Sequence, residues 1–188
     1  RAHHYITFYY VIDKIGTYKM RKNARIVIIG AGIVGCSTDY HLALLGWSDI
    51  IVIEQGPIFE TGGSTSHAPG LVFQTSPSKT MSLLSQETVK LYSSLELNGD
   101  ACFYPVGSME VATTTERLEE LKRRIGLGIS YGLDSTMISP KECLEYNPLL
   151  SDKILGAMFV KNDGIAKAVR AAESMSTSKA VKNSVEFL

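Results

Sequence analysis

Gly30, Gly32 and Gly35 stand in the order G-x-G-x-x-G within Arg25–Gly35 (RIVIIGAGIVG), and Glu54 follows nineteen positions after Gly35. Glycines at this spacing permit a tight turn at Gly30, approach of a pyrophosphate to the backbone at Gly32, and close helix-on-strand packing at Gly35. The pyrophosphate would rest on the free amides and positive dipole end of a helix starting near Ile33. Glu54 is placed to accept hydrogen bonds from ribose hydroxyls, and its charge would repel a 2′-phosphate. These residues predict a dinucleotide site. A second stretch, Gly62–Thr75 (GGSTSHAPGLVFQT), sets an imidazole, His67, behind Gly63, Ser64, Thr65 and Ser66. Its glycines and small side chains let the backbone lie flat against a ligand. The hydroxyls can bond phosphate or ring atoms, and Pro69 and Gly70 stiffen the turn behind the imidazole.

The elements that must position these groups follow from periodicity. Ile26–Ile29 is a β-branched run that reads as a parallel strand buried on both faces. A helix from Ile33 to Leu45 is expected from Val34, Leu42 and Leu45, with Gly46 as its stop, and Ile50–Ile53 is a second strand. Strand, glycine turn, helix, strand and acid make a βαβ unit. Residues 55–75 read as a long functional loop. Ser76-Pro77 then caps a helix to about Leu97, and Phe103–Thr113 forms one or two strands. Thr115–Tyr131 is an amphipathic helix. Ser139–Glu142 is a capping box opening a short helix that Pro148 closes. Ile154–Val160 is a strand, Asp163-Gly164 a turn, Ala166–Ser178 a helix, and Val181–Leu188 the opening of a further strand. The fold class is α/β, a Rossmann-like βαβ unit interrupted by a mixed α+β insertion.

Composition narrows the partners. Nineteen Lys and Arg balance nineteen Asp and Glu in 188 residues, so no global field recruits nucleic acid or an acidic membrane. Lys122, Arg123 and Arg124 follow Glu119 and Glu120 and read as a solvated helix face with i,i+4 pairs. Cys36, Cys102 and Cys143 are odd in number and far apart, so no disulfide or metal framework is expected and a reducing cytoplasm is the default. No apolar run reaches the ~20 residues of a membrane span. Residues 1–23 read as a disordered or non-native extension, with Met20 a natural start and His3 and His4 without a role. Residues 24–188 read as the N-terminal part of a discontinuous domain, cut from a larger protein.

GGSTSHAPGLVFQT resembles the flavin-attachment segment of the dimethylglycine and sarcosine dehydrogenase/oxidase family, members of the DAO-type FAD-dependent oxidoreductases. The bacterial dimethylglycine oxidases are the nearest likeness. PSKTM (Pro77–Met81), VGSMEVATT (Val106–Thr114), SPKEC (Ser139–Cys143), NPLL (Asn147–Leu150) and DGIAKAVRA (Asp163–Ala171) extend the resemblance over roughly residues 24–180. It implies an incomplete FAD domain of the DAO and glutathione-reductase type. FAD would be bonded through its 8α-methyl to His67, with Ile33 and Val34 along the pyrophosphate. Glu54 and Gln55 would lie at the adenosine ribose, Ser64–His67 along the flavin side and Leu71 against the cofactor.

The implied reaction is oxidation of an N-methyl amine. A hydride equivalent passes to the flavin, and the iminium is hydrolysed to formaldehyde or captured by tetrahydrofolate bound in a missing C-terminal part. Oxygen or a flavoprotein carrier then reoxidises the cofactor. The family's active-site histidine and tyrosine lie beyond residue 188, so no residue here is named catalytic, and the chain alone is expected to be inactive. His41 reads as a helix-face residue, Tyr104 and Tyr131 as core or edge aromatics. Cys36 reads as a packing residue rather than a dipole-activated thiol. Two alternatives stand beside this reading: a DAO-type flavoprotein acting on an amino acid or glycerol phosphate, and a non-catalytic dinucleotide-binding piece.

Overall fold

The computed structural model describes residues 23–60 and 62–188. The extension expected over residues 1–23, with His3 and His4, lies outside the described residues except at its last position. Along the chain run β1 (Ile26–Ile29), α1 (Ile33–Leu44), β2 (Ile50–Ile53), α2 (Ser64–His67), β3 (Leu71–Val72) and α3 (Lys79–Ser94). Then come β4 (Glu96–Leu97), β5 (Asp100–Ala101), β6 (Phe103–Tyr104), β7 (Ser108–Ala112), α4 (Thr115–Ser130), β8 (Ser135–Ile138) and α5 (Pro140–Tyr146). Last are β9 (Gly156–Val160), β10 (Gly164–Ala166), α6 (Ala168–Ser176), α7 (Lys179–Lys182) and β11 (Val185–Phe187). Two compact units result: the described residues up to His67 with Ala172–Leu188, and Ala68–Ala171.

The first unit holds a parallel sheet in the order β1-β2-β11, so the strand that closes it arrives more than a hundred residues after β2. Expectation and structure differ at β1, which is half-buried and ends in an exposed Ile29. The central strand is β2, and its Ile50, Ile51 and Val52 are buried. A strand with neighbours on both sides loses solvent that a strand with one does not. The buried face of α1 is also not the apolar one that periodicity suggested. Val34 is 78% and Leu45 76% exposed, whereas Gly35, Cys36, Asp39 and Ala43 face inward. Small residues form that face because the helix must lie close to the β1 turn. A Cβ on Gly35 would sit 1.9 Å from the Gly30 carbonyl oxygen.

Ala31, Cys36, Val52 and Ala172 form this unit's core, with Ile28, Ile33, Phe59, Val185 and Phe187 around it. Within it Asp39 is fully buried, and neither carboxyl oxygen has a partner in hydrogen-bonding geometry among the described residues. Burial pushes its pKa up to about 7, the Tyr40 amide and Ser176 hydroxyl holding part of the rise back. A folded pKa above the unfolded one makes the group neutral at no cost in acid. Stability is then lost as pH rises from about 4 to about 7. Asp39→Asn is expected to stabilise the protein by up to about 4 kcal/mol near pH 8 and to change little near pH 4, as read by urea unfolding at both.

In the second unit β7, β9 and β8 form an antiparallel sheet with β9 central. Leu118, Leu121 and Ile125 of α4 pack on Ala112, Met158 and Val160, and Cys143 joins Ile138, Ile154 and Ala157 in a second cluster. The capping box forms as expected, Ser139 N–H donating to Glu142 Oε2 at 2.7 Å and Glu142 N–H to Ser139 Oγ at 3.3 Å. The basic run of α4 pairs differently from expectation. Lys122–Glu119 and Arg117–Glu120 are i,i+3 pairs, and Arg117 and Arg124 both reach Glu110 on β7.

Ser78, not Ser76, caps α3, accepting from the Met81 amide, and the chain turns at Leu95 into the β4–β5 hairpin rather than continuing helical to Leu97. The turn before β10 is Lys161-Asn162, since Gly164 already pairs with Val72. Helix α6 spans Ala168–Ser176, and α7 separates it from β11, where one strand over Val181–Leu188 was expected.

Candidate cofactor-binding site

Residues 55–75, expected as open loop, contain α2 and β3. The phosphate turn is built as expected. Gly30 adopts φ +99°, its amide donates to the Ile53 carbonyl at 2.7 Å, and α1 starts at Ile33. By helix geometry the amides of Gly32, Ile33, Val34 and Gly35 have no intrahelical acceptor, and no acidic residue stands in the first turn. Such a donor set fits the pyrophosphate of a dinucleotide. The Ile33 amide is already engaged, donating to Thr65 Oγ1 at 2.9 Å.

Glu54, at the end of β2, is held on both oxygens. Oε2 accepts from the Ala31 amide at 2.8 Å, and Oε1 from Gln55 at 2.9 Å and Gly56 at 3.3 Å. These bonds, Ala31's foremost, hold its pKa below the usual glutamate value. The carboxylate is therefore favoured in its ionised form. Gln55 and Val34 are exposed, and Ile33 joins the core while its amide caps the turn.

His67 is exposed at the end of α2. Its Nδ1 lies 2.9 Å from the Gly63 carbonyl oxygen and 3.4 Å from Ser66 Oγ. A carbonyl only accepts, so Nδ1 carries the proton and Nε2 keeps its lone pair for an electrophile. Ser66 Oγ accepts from the Gly62 amide and donates to Gly63 oxygen at 2.9 Å, and Ser64 is exposed. In the second unit, Gly70 takes φ +78° where a Cβ would meet Ala166 oxygen at 2.3 Å, so this position requires glycine. Leu71 lies there too, 57% exposed on β3. Gln74 is buried, its amide and side chain donating to the fully buried Asp163, which also accepts from Ser108 at 2.6 Å.

The remaining candidates fall where packing puts them. His41 and Tyr104 are exposed, and Tyr131 is half-buried. Cys36 is fully buried, and burial, with Asp39 and Glu54 adding to it, raises its thiol to about 11, which excludes a dipole-activated nucleophile. All three cysteines are buried, and no His, Cys, Asp or Glu cluster that could hold a metal occurs among the described residues. No described helix is long and apolar enough to cross a membrane. Two features escaped sequence reasoning: the Thr65–Ile33 bond, which joins residues 32 apart, and the buried Asp39 carboxyl. Neither leaves a local signal.

A parallel βαβ unit with a glycine turn and an acid just past its second strand is the arrangement of a dinucleotide-binding domain. The chain belongs to the DAO family of FAD dependent oxidoreductases, whose model matches residues 25–188. Mouse mitochondrial pyruvate dehydrogenase phosphatase regulatory subunit is 34% identical over 167 residues, 87% of this chain and 19% of that protein. Human mitochondrial sarcosine dehydrogenase is 36% identical over 146 residues, 75% of this chain and 16% of that protein. The chain thus spans under one fifth of the length of these relatives. Among solved structures, L-proline dehydrogenase from P. horikoshii superposes with TM-score 0.77 at 25% identity, covering 88% of this chain and 43% of that one.

Proposed function

We propose that this chain is the FAD-holding end of an amine oxidoreductase that acts on an N-methylated glycine, sarcosine or dimethylglycine, with FAD bonded to His67. The carrying observation is His67 itself, exposed in the Gly63–His67 turn with Nδ1 tied back and Nε2 without a partner among the described residues. The name of the human relative supports the substrate class. Bound FAD would supply the two-electron oxidation that turns the amine into an iminium, for hydrolysis to formaldehyde or capture by tetrahydrofolate. This chain's residues bind and orient: the α1 amides neutralise pyrophosphate, Glu54 takes the ribose, and His67 ties the cofactor down. The proposed partners are the amine and an acceptor, oxygen or a flavoprotein carrier, with neither nucleic acid nor membrane. A reducing compartment, the cytoplasm, belongs to the same proposal and rests on three cysteines that are odd in number and far apart in the sequence.

Anaerobic mixing of the FAD-loaded product of the complete reading frame with sarcosine or dimethylglycine tests the substrate class. Loss of the flavin's visible absorbance, with formaldehyde appearing, is the expected result. Bleaching by glycerol phosphate or an amino acid, but by neither amine, would move the reading to another DAO-type activity. A second reading is a non-catalytic subunit, favoured by the match of a regulatory subunit over 87% of this chain. Bound flavin that none of these substrates bleaches would select it.

A further inference from the structure

The turn that carries His67 is only four residues long, Ser64–His67, and a helix this short does not hold itself in place. Its other hydrogen bonds close on themselves: Ser66 to Gly62 and Gly63, and His67 to Gly63 and Ser66. Among the described residues, these bonds shape the turn without fixing it to anything else. Among the described residues, the hydrogen bond that leaves the turn is Thr65's, whose Oγ1 accepts from the Ile33 amide at 2.9 Å. Gly32 makes room for it, since a Cβ there would stand 3.0 Å from that oxygen. Thr65 is half-buried and His67 exposed, as expected two positions on, about 200° around a helical turn.

We propose that Thr65 is the positioning residue for flavin attachment: anchored on the first amide of α1, it fixes where His67 meets a cofactor seated on that helix. The inference rests on the covalent-FAD reading above. In the attachment, a C–N bond forms between the imidazole and the flavin 8α carbon. One methyl C–H and the imidazole N–H break, and their two protons with two electrons reduce the ring. Dioxygen then reoxidises it, leaving hydrogen peroxide. Thr65 enters none of these bonds; it sets the distance.

The test uses Thr65→Val, which keeps the shape and removes the acceptor, and Thr65→Ser, which keeps the hydroxyl, in the complete reading frame. Apoprotein is mixed with FAD, and acid-stable flavin and equilibrium FAD binding are measured separately. Attachment is compared at saturating FAD, so a weaker affinity in Thr65→Val does not enter the rate. Attachment in Thr65→Val should slow by at least about tenfold, since a misplacement of ~1 Å can cost ~100-fold. Thr65→Ser should restore the rate. Attachment at the wild-type rate in Thr65→Val would overturn the inference. So would outright loss of FAD binding, which makes the hydroxyl a cofactor ligand, or failure of Thr65→Ser to rescue. Wild type without acid-stable flavin would instead overturn the covalent reading, and this inference with it.

Discussion

Acid-denatured wild type is expected to keep its yellow colour through washing and gel separation, and His67→Ala to lose all of it. The effect is all-or-none because a covalent bond survives the unfolding that releases every other contact. Folded His67→Ala should still bind FAD, since the Gly30–Gly35 turn and Glu54 do not touch the imidazole. His67 is exposed and its hydrogen bonds stay within the turn, so truncation leaves no buried group unpaired. Folding stability should therefore change by no more than about 0.5 kcal/mol. Fluorescence of the acid-washed band, with thermal unfolding as the control, reads both. Acid-stable flavin retained by His67→Ala would overturn the assignment.

Gly35→Ala should act on the opposite quantity, removing FAD binding together with much of the first unit's stability. A Cβ at this position would lie 1.9 Å from Gly30 oxygen and 3.1 Å from Gly30 carbon. Both are backbone atoms that cannot swing aside. Either α1 shifts off β1 or the phosphate turn opens, and each displaces the amides a pyrophosphate needs. Overpacking of this kind costs about 3 kcal/mol or more where backbone must move. FAD retention should fall at least about tenfold, the effect of losing ~1.4 kcal/mol of binding. Equilibrium dialysis with FAD and urea unfolding measure the two losses. Wild-type FAD affinity in a folded Gly35→Ala protein would show that the turn tolerates the displacement and so does not set the site.

Parts of this were legible because their signals are local. The G-x-G-x-x-G run, the strands at Ile26–Ile29 and Ile50–Ile53 and the Ser139–Glu142 capping box each lie within a few residues. Glu54 is readable because its distance from the turn is set by one helix and one strand. Where sequence reasoning erred, it read hydrophobicity as burial. Val34 near the start of α1 and Leu45 just past its end face solvent, while Gly35, Cys36 and Asp39 face the core. Close backbone approach selects small side chains, and a hydropathy pattern does not register that.

By itself, then, the sequence determined the glycine turn, the acid beside it and a histidine in a hydroxyl-rich segment. Tertiary structure decided the rest. It brought Thr65 onto Ile33, and Gln74 onto Asp163, 89 residues away. It also returned β11 to the sheet that β1 and β2 began. Hydrogen-bond partners that far apart are chosen by how strands and helices stack, and a spacing rule reaches only as far as the element that encodes it.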